Sequence, residues 1–426
     1  MSDLRFIHAA DLHLGSPFKG LKSLDRKLGE ILVDATFAAF NNIIETCLAR
    51  KADFLLVAGD VFDAEDRGLK AQLKFRDGLA RLGDKGIRSF VAHGNHDPLS
   101  GWAEQIKWPA SVKIFGDAIE TVPYDRDGEI LAHIQGVSYP KANVRENLAL
   151  RFTPLPDSPF SIAMLHANVG VNTGHEPYAP CSLEDLARSG FDYWALGHVH
   201  KKTVLQEEGP GIVYPGNPQG LHINEQGSHG VYYVCVKDGE IAELEFIPVD
   251  IIRWFNLTGE DSLDVSEAGS LDDIESLARK RCQNLLGEAE SRSVIIRMAL
   301  TGRTPLHKIL SQENVLSDLE SILRESFGSL KPFLWIDSIA SKTRALLDIE
   351  ARRNSRDFIA ELLKLSYALE NNSGELEETG KTLLSPVYES RSWPKEILMP
   401  QGENLKDILQ DAETLLLDHL IPEEAE

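Results

Sequence analysis

Five short stretches of this chain concentrate residue types that bind metals: Asp11-Leu12-His13-Leu14-Gly15-Ser16, Gly59-Asp60-Val61-Phe62-Asp63, Gly94-Asn95-His96-Asp97, His166-Ala167-Asn168 and Gly197-His198-Val199-His200. Carboxylate, amide and imidazole donors without a thiolate suit manganese, iron or zinc better than a structural zinc knot. Alternate histidines such as His198 and His200 project to one side of an extended segment. Taken singly, Asp-x-His at a strand end is more often a helix cap or a satisfied polar pair and Gly59-Asp60 a plain strand-to-helix turn, whereas Gly94-Asn95-His96-Asp97 is a stronger signal and Gly197-His198-Val199-His200 stronger again. Five in succession, each closing a strand, read as one site. Two dications about 3.5–4 Å apart need an anionic bridge to offset their repulsion. Asp60, central in the order of turns, is the candidate for it.

The elements that must carry these turns follow from the hydrophobic pattern. Short apolar runs at Leu4 to Ala9, Phe54 to Ala58, Ser89 to Ala92, His133 to Val137, Phe160 to Leu165, Tyr193 to Leu196, Ile212 to Tyr214 and Gly230 to Val236 read as strands. Leu28, Ile31, Leu32, Ala35, Ala39, Phe40, Ile43, Ile44, Cys47 and Leu48 recur at helical spacing between the first two strands, and a second helix lies near Leu69 to Leu82. Successive strand-helix-strand units imply a parallel core, which an antiparallel meander extends after residue 130. In such sheets ligands gather at the carboxyl ends of strands, where all five turns lie. The first domain is therefore placed at 1–250.

From 251 to 345 the pattern is that of a smaller α+β domain: strands at Arg253 to Thr258 and Ser293 to Thr301, helices at Leu271 to Ala289 and Asn314 to Phe327, and an extended run at Pro332 to Ser338. The segment 346–426 reads as helical, at 346 to 370 and 404 to 420, with a looser stretch from Asn371 to Pro400. The apolar pattern of Leu346, Leu347, Ile349, Phe358, Ile359, Leu362 and Leu363 serves a core or a partner.

The formal net charge of -22 would repel nucleic acid as a global field. Bound cations neutralise part of it, and phosphate binding depends on local basic groups. Lys19, Lys22, Arg26 and Lys27 follow the first ligand turn and Lys201-Lys202 the last; they are the candidates for phosphate contacts. No run of about 18 apolar residues is evident, and the first residues lack a signal-peptide pattern, so no membrane association is expected. Cys47, Cys181, Cys235 and Cys282 are scattered, which disfavours disulfides and zinc knots and fits a cytoplasmic protein. His8 and His93, just before ligand turns, read as satisfied core histidines, and His175 as a turn residue.

The ordered series Asp11-x-His13, Gly59-Asp60-x-x-Asp63, Gly94-Asn95-His96-Asp97, His166 and Gly197-His198-x-His200 resembles the calcineurin-like metallophosphoesterases. His13-Leu14-Gly15-Ser16, Phe62, Ala195-Leu196-Gly197-His198-Val199-His200, His175-Glu176-Pro177-Tyr178-Ala179-Pro180-Cys181 and Gly216-Asn217-Pro218-Gln219-Gly220 resemble the DNA repair exonuclease branch of SbcD and YhaO type. The resemblance covers about the first 250 residues. It implies a four-layer α/β sandwich, two mixed sheets flanked by helices, with an α+β capping domain and C-terminal helices. It also implies two divalent cations, manganese the usual one. Asp11, His13, Asp60 and His200 would hold one, and Asp60, Asn95, His166 and His198 the other. His96 would assist the leaving group while activated water attacks, with Asp97 orienting His96; Asp63 departs from the histidine of some relatives and is given no role. DNA as substrate, an SMC-like ATPase partner and a homodimer are further implications. The alternatives are a phosphoesterase for nucleotides and a non-catalytic scaffold that binds DNA or an ATPase.

Overall fold

The computed structural model describes residues 3–19, 21, 26–63, 68–101, 106–170, 178–346, 353–354, 357–388 and 399–420. They divide into two compact units, one of residues 1–261, 280–298 and 320–338, the other of 262–279, 299–319 and 339–426.

The first unit is built on two six-stranded sheets. In one, β1 (Leu4–Ala9), β2 (Phe54–Ala58), β3 (Arg88–Ala92) and β4 (Val112–Ile114) run parallel, and β11 (Gly230–Lys237) and β12 (Glu240–Pro248) add antiparallel on the β1 side. Phe54, Leu55, Leu56, Val57 and Ala58 are all solvent-free, because a central parallel strand is covered on both faces. Helices α1 (Arg26–Ala49) and α2 (Leu69–Gly83) cover one face, with Phe40, Ile43, Ile44, Phe75 and Leu79 against Ile7, Leu55 and Val57. Burying each such side chain stabilises the fold by about 1.5–3 kcal/mol. The expectation that no segment is apolar enough to cross a membrane fails at Ile31–Ala49, whose 19 residues have a mean hydropathy of 1.3. Here that apolarity supplies the core-facing stripe of α1.

The second sheet has the order β5-β6-β7-β8-β10-β9, formed by β5 (Glu120–Arg126), β6 (Glu129–Gly136), β7 (Ser161–His166), β8 (Tyr193–Gly197), β9 (Thr203–Gln206) and β10 (Gly211–Tyr214). The expected antiparallel meander is not found: β6, β7, β8 and β10 are parallel, and only β5 and β9 pair antiparallel. The long connections 137–160 and 167–192, the latter holding α3 (Leu183–Ala187), provide the crossovers that parallel strands require. The inner faces of the two sheets meet in one core, where Phe6, Phe54, Leu56 and Phe90 pack with Ile134, Ile162, Met164 and Tyr193. A mixed α/β sandwich results, as expected. All four cysteines are buried and free.

Also in this unit, β13 (Ile252–Leu257) runs parallel to Ser293–Met298 of β15 (Ser293–Arg303). Trp254, fully buried, stacks on Phe18 beyond the first ligand turn. In the second unit β14 (Leu263–Asp264) pairs with Leu300 and Thr301, and α7 (Phe358–Glu370), α8 (Ser373–Tyr388) and α9 (Glu403–Leu420) pack on one another. Helices α4 (Leu271–Glu288), α5 (His307–Leu310) and α6 (Glu313–Phe327) and strand β16 (Leu334–Arg344) complete the described elements. Helix α8 occupies a stretch expected to be loose; the beginning of the helix expected from 346 falls largely outside the described residues.

Candidate metal centre

All five ligand-type turns leave the carboxyl ends of parallel strands: β1, β2 and β3 of the first sheet, β7 and β8 of the second. Backbone bonds lock the first two turns together, Asp11 N–H to Gly59 O at 3.0 Å and His13 N–H to Asp60 O at 3.1 Å. Asp11, His13, Asp60 and His198 all have positive φ, at 53°, 42°, 49° and 103°. Such conformations cost roughly 1–3 kcal/mol each and persist only where the surroundings hold them. Gly59 explains itself: with φ at 96°, a Cβ there would stand 2.2 Å from His166 Nδ1. A Cβ on Gly94 would lie 2.3 Å from Asp60 Oδ1.

The side chains converge. Among the described residues, donor atoms of Asp11, His13 and His200 lie within 4.8 Å of one another, and so do those of Asp11, Asp60 and His166. His13 Nε2 and His200 Nε2 face each other at 3.1 Å. His166 Nε2 stands 3.0 Å from Asn95 Oδ1 and 3.2 Å from Asp60 Oδ2. The shared carboxylate of these two groups is Asp11, where Asp60 was expected to be the shared one. Asp60 Oδ1 accepts the His96 N–H, which turns that oxygen toward the third loop. His198 belongs to neither group. Its backbone N–H donates to both Asp11 oxygens at 3.0 and 3.1 Å, and its ring stands against those of His166 and Tyr178 at 5.2 and 5.6 Å.

The donor set fits divalent cations. Asp11, Asp60 and His166 are essentially solvent-free, so uncompensated carboxylates there would be costly. Burial raises the Asp11 pKa, the sign of an anion short of positive charge. Burial also opposes ionisation of Asp60, but His166, His13 and His96 together outweigh it and the pKa falls. On the imidazole side, burial disfavours charge on His166, yet Asp60 and Asp11 raise it to about 9. Burial opposes charge on His200 too, yet its hydrogen bond to Glu225 together with the charges of Asp11, Glu225 and Asp60 raises it to about 9. A cation at these imidazoles would therefore compete with protons.

The expected Asp97–His96 pairing is replaced by another. Asp97 is fully buried and accepts from Val61 N–H, Gly94 N–H and His93 Nδ1 at 2.8, 2.8 and 2.9 Å, bracing the second and third turns. The carboxylate against His96 is Asp63: its Oδ1 lies 2.7 Å from His96 Nδ1 and 3.0 Å from His13 Nδ1, and its Oδ2 accepts from Ser16 at 2.6 Å. That contact raises the His96 pKa, while the bonds from His13 and His96 outweigh burial and depress that of Asp63.

Glu225 was not singled out from the sequence. Its Oε1 meets His200 Nδ1 at 2.6 Å, and Asn217 and the Leu221 N–H hold its other oxygen. Nothing around Glu225 marks it; only Asn217, in a recognised motif, pointed to the neighbourhood. Tyr139 was missed too, and donates to the His166 carbonyl. His8 is a core histidine, fully buried between Tyr193 and Leu196. His93 serves the Asp97 brace. Of the basic candidates, Lys19 and Lys201 are exposed, Lys202 caps the Phe246 ring at 3.8 Å, and the side chains of Lys22, Arg26 and Lys27 fall outside the described residues, as does His175.

Residues 4–202 match the model of the calcineurin-like phosphoesterases, and residues 260–344 that of the middle domain of metallophosphoesterase YhaO. The uncharacterized metallophosphoesterase YhaO of Bacillus subtilis is 37% identical over 336 residues, covering 79% of this chain and 81% of that one. The DNA double-strand break repair protein Mre11 of Sulfurisphaera tokodaii is 28% identical over 270 residues, 61% of this chain and 66% of its own. Its Aeropyrum pernix counterpart is 25% identical over 281 residues, 63% and 65%.

Proposed function

This chain belongs to the calcineurin-like metallophosphoesterases, in their SbcD/YhaO-type branch, and from that premise we propose that it is a metal-dependent nuclease that hydrolyses DNA phosphodiesters. The observation that carries the reading is the meeting of Asp11, His13 and His200 with Asp60, Asn95 and His166 at the joint rim of the two sheets. Asp11, His13, Asp60 and His200 would hold one divalent cation and Asp60, Asn95, His166 and His198 the other, with manganese as the proposed metal. Such cations supply the positive charge that polarises a phosphodiester and acidifies water. Asp60 is proposed as the bridge, since it feels the charge of His166 on one side and His13 on the other. His96, 43% exposed at its side chain, faces solvent where a substrate enters, with its Nδ1 held by Asp63. Its Nε2 is then the atom that delivers a proton to the departing 3′-oxygen.

The test compares wild type, Asp60→Ala and His96→Ala on labelled single- and double-stranded DNA with manganese. We expect His96→Ala to keep its metals and lose turnover, and Asp60→Ala to lose both. Equal degradation by all three would refute the mechanism; one metal retained in Asp60→Ala would give the bridge to Asp11. The net charge of -22 favours a second reading, a phosphoesterase for nucleotide-sized substrates. Cleavage of a chromogenic diester with DNA left intact would select it. The division into a catalytic domain at 1–250, a capping domain at 251–345 and a partner-binding segment at 346–426 belongs to the same proposal. So do an SMC-like ATPase partner, a homodimer and a cytoplasmic location, which the family resemblance of the sequence motifs implies.

A further inference from the structure

A cavity of about 470 Å³ opens in the loop that follows β6. That loop leaves the carboxyl end of a strand parallel to β7 and β8, so it shares their rim with the His166 and His198 turns. Two ties fix it there. Ser138, in the cavity wall, accepts the His93 N–H through its Oγ, and the adjacent Tyr139 bonds both the His93 and the His166 carbonyls. On the other side the Val144 carbonyl accepts the N–H of Ala179, next to the Tyr178 that stands against the His198 ring. The cavity wall is thus tied to the segments that carry His93, His166 and Tyr178, and none of the candidate metal ligands lines it.

Its lining is of two kinds. Val137, Val144 and Leu148 are buried and make an apolar floor, with Pro140 at its edge. Lys141, Arg145 and Arg151 stand at the rim, in a chain whose acids far outnumber its bases. Lys141 has no ion pair or hydrogen bond among the described residues. Among the described residues Arg145 hydrogen-bonds only Asn143, at 3.3 Å, and Arg151 reaches Glu146 at a slack 3.8 Å. Asp117 is the remaining acid of the wall, placed with Asn143 to meet hydrogen-bond donors. A flat apolar group needs such a floor, a phosphate needs under-paired cations, and an amine or hydroxyl needs the acid and amide.

We infer that this cavity is a nucleotide subsite: it takes the sugar, base and flanking phosphate next to the bond being cut. The inference rests on the phosphoesterase reading and names what lies beyond the scissile group. Lys141 and Arg145 bind phosphate and Val137 and Leu148 carry the base. A free nucleotide and a nucleotide within a strand present the same chemistry.

The test uses the full-length, metal-loaded enzyme hydrolysing a chromogenic diester, inhibited in turn by inorganic phosphate, a deoxynucleoside monophosphate and a single-stranded tetranucleotide. Phosphate reads the metal centre alone; the nucleotides read the cavity as well. For Lys141→Glu/Arg145→Glu we expect the phosphate Ki to stay within about twofold and the nucleotide Ki to rise at least tenfold. Lys141→Gln/Arg145→Gln provides the same comparison if the double charge reversal does not fold. A shift with the tetranucleotide alone identifies the strand as the occupant; a shift with the monophosphate too identifies the free nucleotide as sufficient. An unchanged nucleotide Ki, or phosphate and nucleotide values rising together, overturns the subsite. Wild-type enzyme that spares DNA while the Ki shift persists removes the DNA reading and leaves the cavity standing.

Discussion

Replacing Asp63 by asparagine should separate good from poor leaving groups. Asp63 Oδ1 receives His96 Nδ1 at 2.7 Å and His13 Nδ1 at 3.0 Å, so one anion orients the proposed acid and a proposed ligand together. A hydrogen bond to a charged group contributes about 1.5–3 kcal/mol. Solvent screens part of this one, because the His96 side chain is 43% exposed. About 1.5–2 kcal/mol is then lost from the transition state that needs the acid, roughly a 10- to 30-fold drop in rate. A thymidine dinucleotide, whose leaving alkoxide requires a proton, should show that drop in kcat. Bis(p-nitrophenyl) phosphate leaves as a stable phenolate and should change by less than about threefold, since protonation contributes little to its departure. Metal content is measured alongside, because His13 shares the same oxygen. Equal losses on both esters with metals retained would refute the reasoning, and so would no loss on the dinucleotide.

Two further outcomes follow from the same electrostatics. Glu225→Gln removes the charge that fixes His200 and should weaken binding of one metal by about 10- to 100-fold; calorimetric titration showing two unchanged sites would contradict this. Burial lowers the His8 pKa from its ordinary 6.5 to about 3, although the Leu196 carbonyl opposes the shift. The native imidazole stays neutral where the unfolded one is protonated, so stability is full above pH 6.5 and declines as pH falls toward 3, by about 1.4 kcal/mol per pH unit. Urea unfolding in chelator between pH 6 and pH 4 should therefore be less pH-dependent for His8→Gln, and identical slopes would count against it.

The strands that bear ligands were legible because they are buried on both faces and so read as continuous apolar runs. Strands β4, β5, β9 and β12 were not, since they are partly exposed and mix polar with apolar residues. Parallel pairing in the second sheet was hidden because crossover loops, unlike helices, leave no periodic trace. Helix α8 contains Gly374, Gly380 and Pro386, which argue locally for a loop; packing overrides them, with Leu376 buried and Leu405 against Gly380. The ligand turns themselves stood out by composition. Which acid serves which histidine did not, because Asp97 is adjacent to His96 in sequence while Asp63 reaches it only through the fold.

The division of ligands between the sheets has a mechanical consequence. Asp11, His13, Asp60 and Asn95 hang from one sheet, His166, His198 and His200 from the other, and beyond the apolar core between the sheets they are joined by a few polar ties, among them His198 N–H to Asp11 and His166 Nδ1 to the Ala58 carbonyl. Cations seated there would act as rivets across the open edge of a clam. They would bind the folded site and not the unfolded chain, and so stabilise it by an amount that grows with the logarithm of their concentration. Chelation should accordingly loosen the five turns long before the cores themselves melt, visible as faster amide exchange confined to those turns.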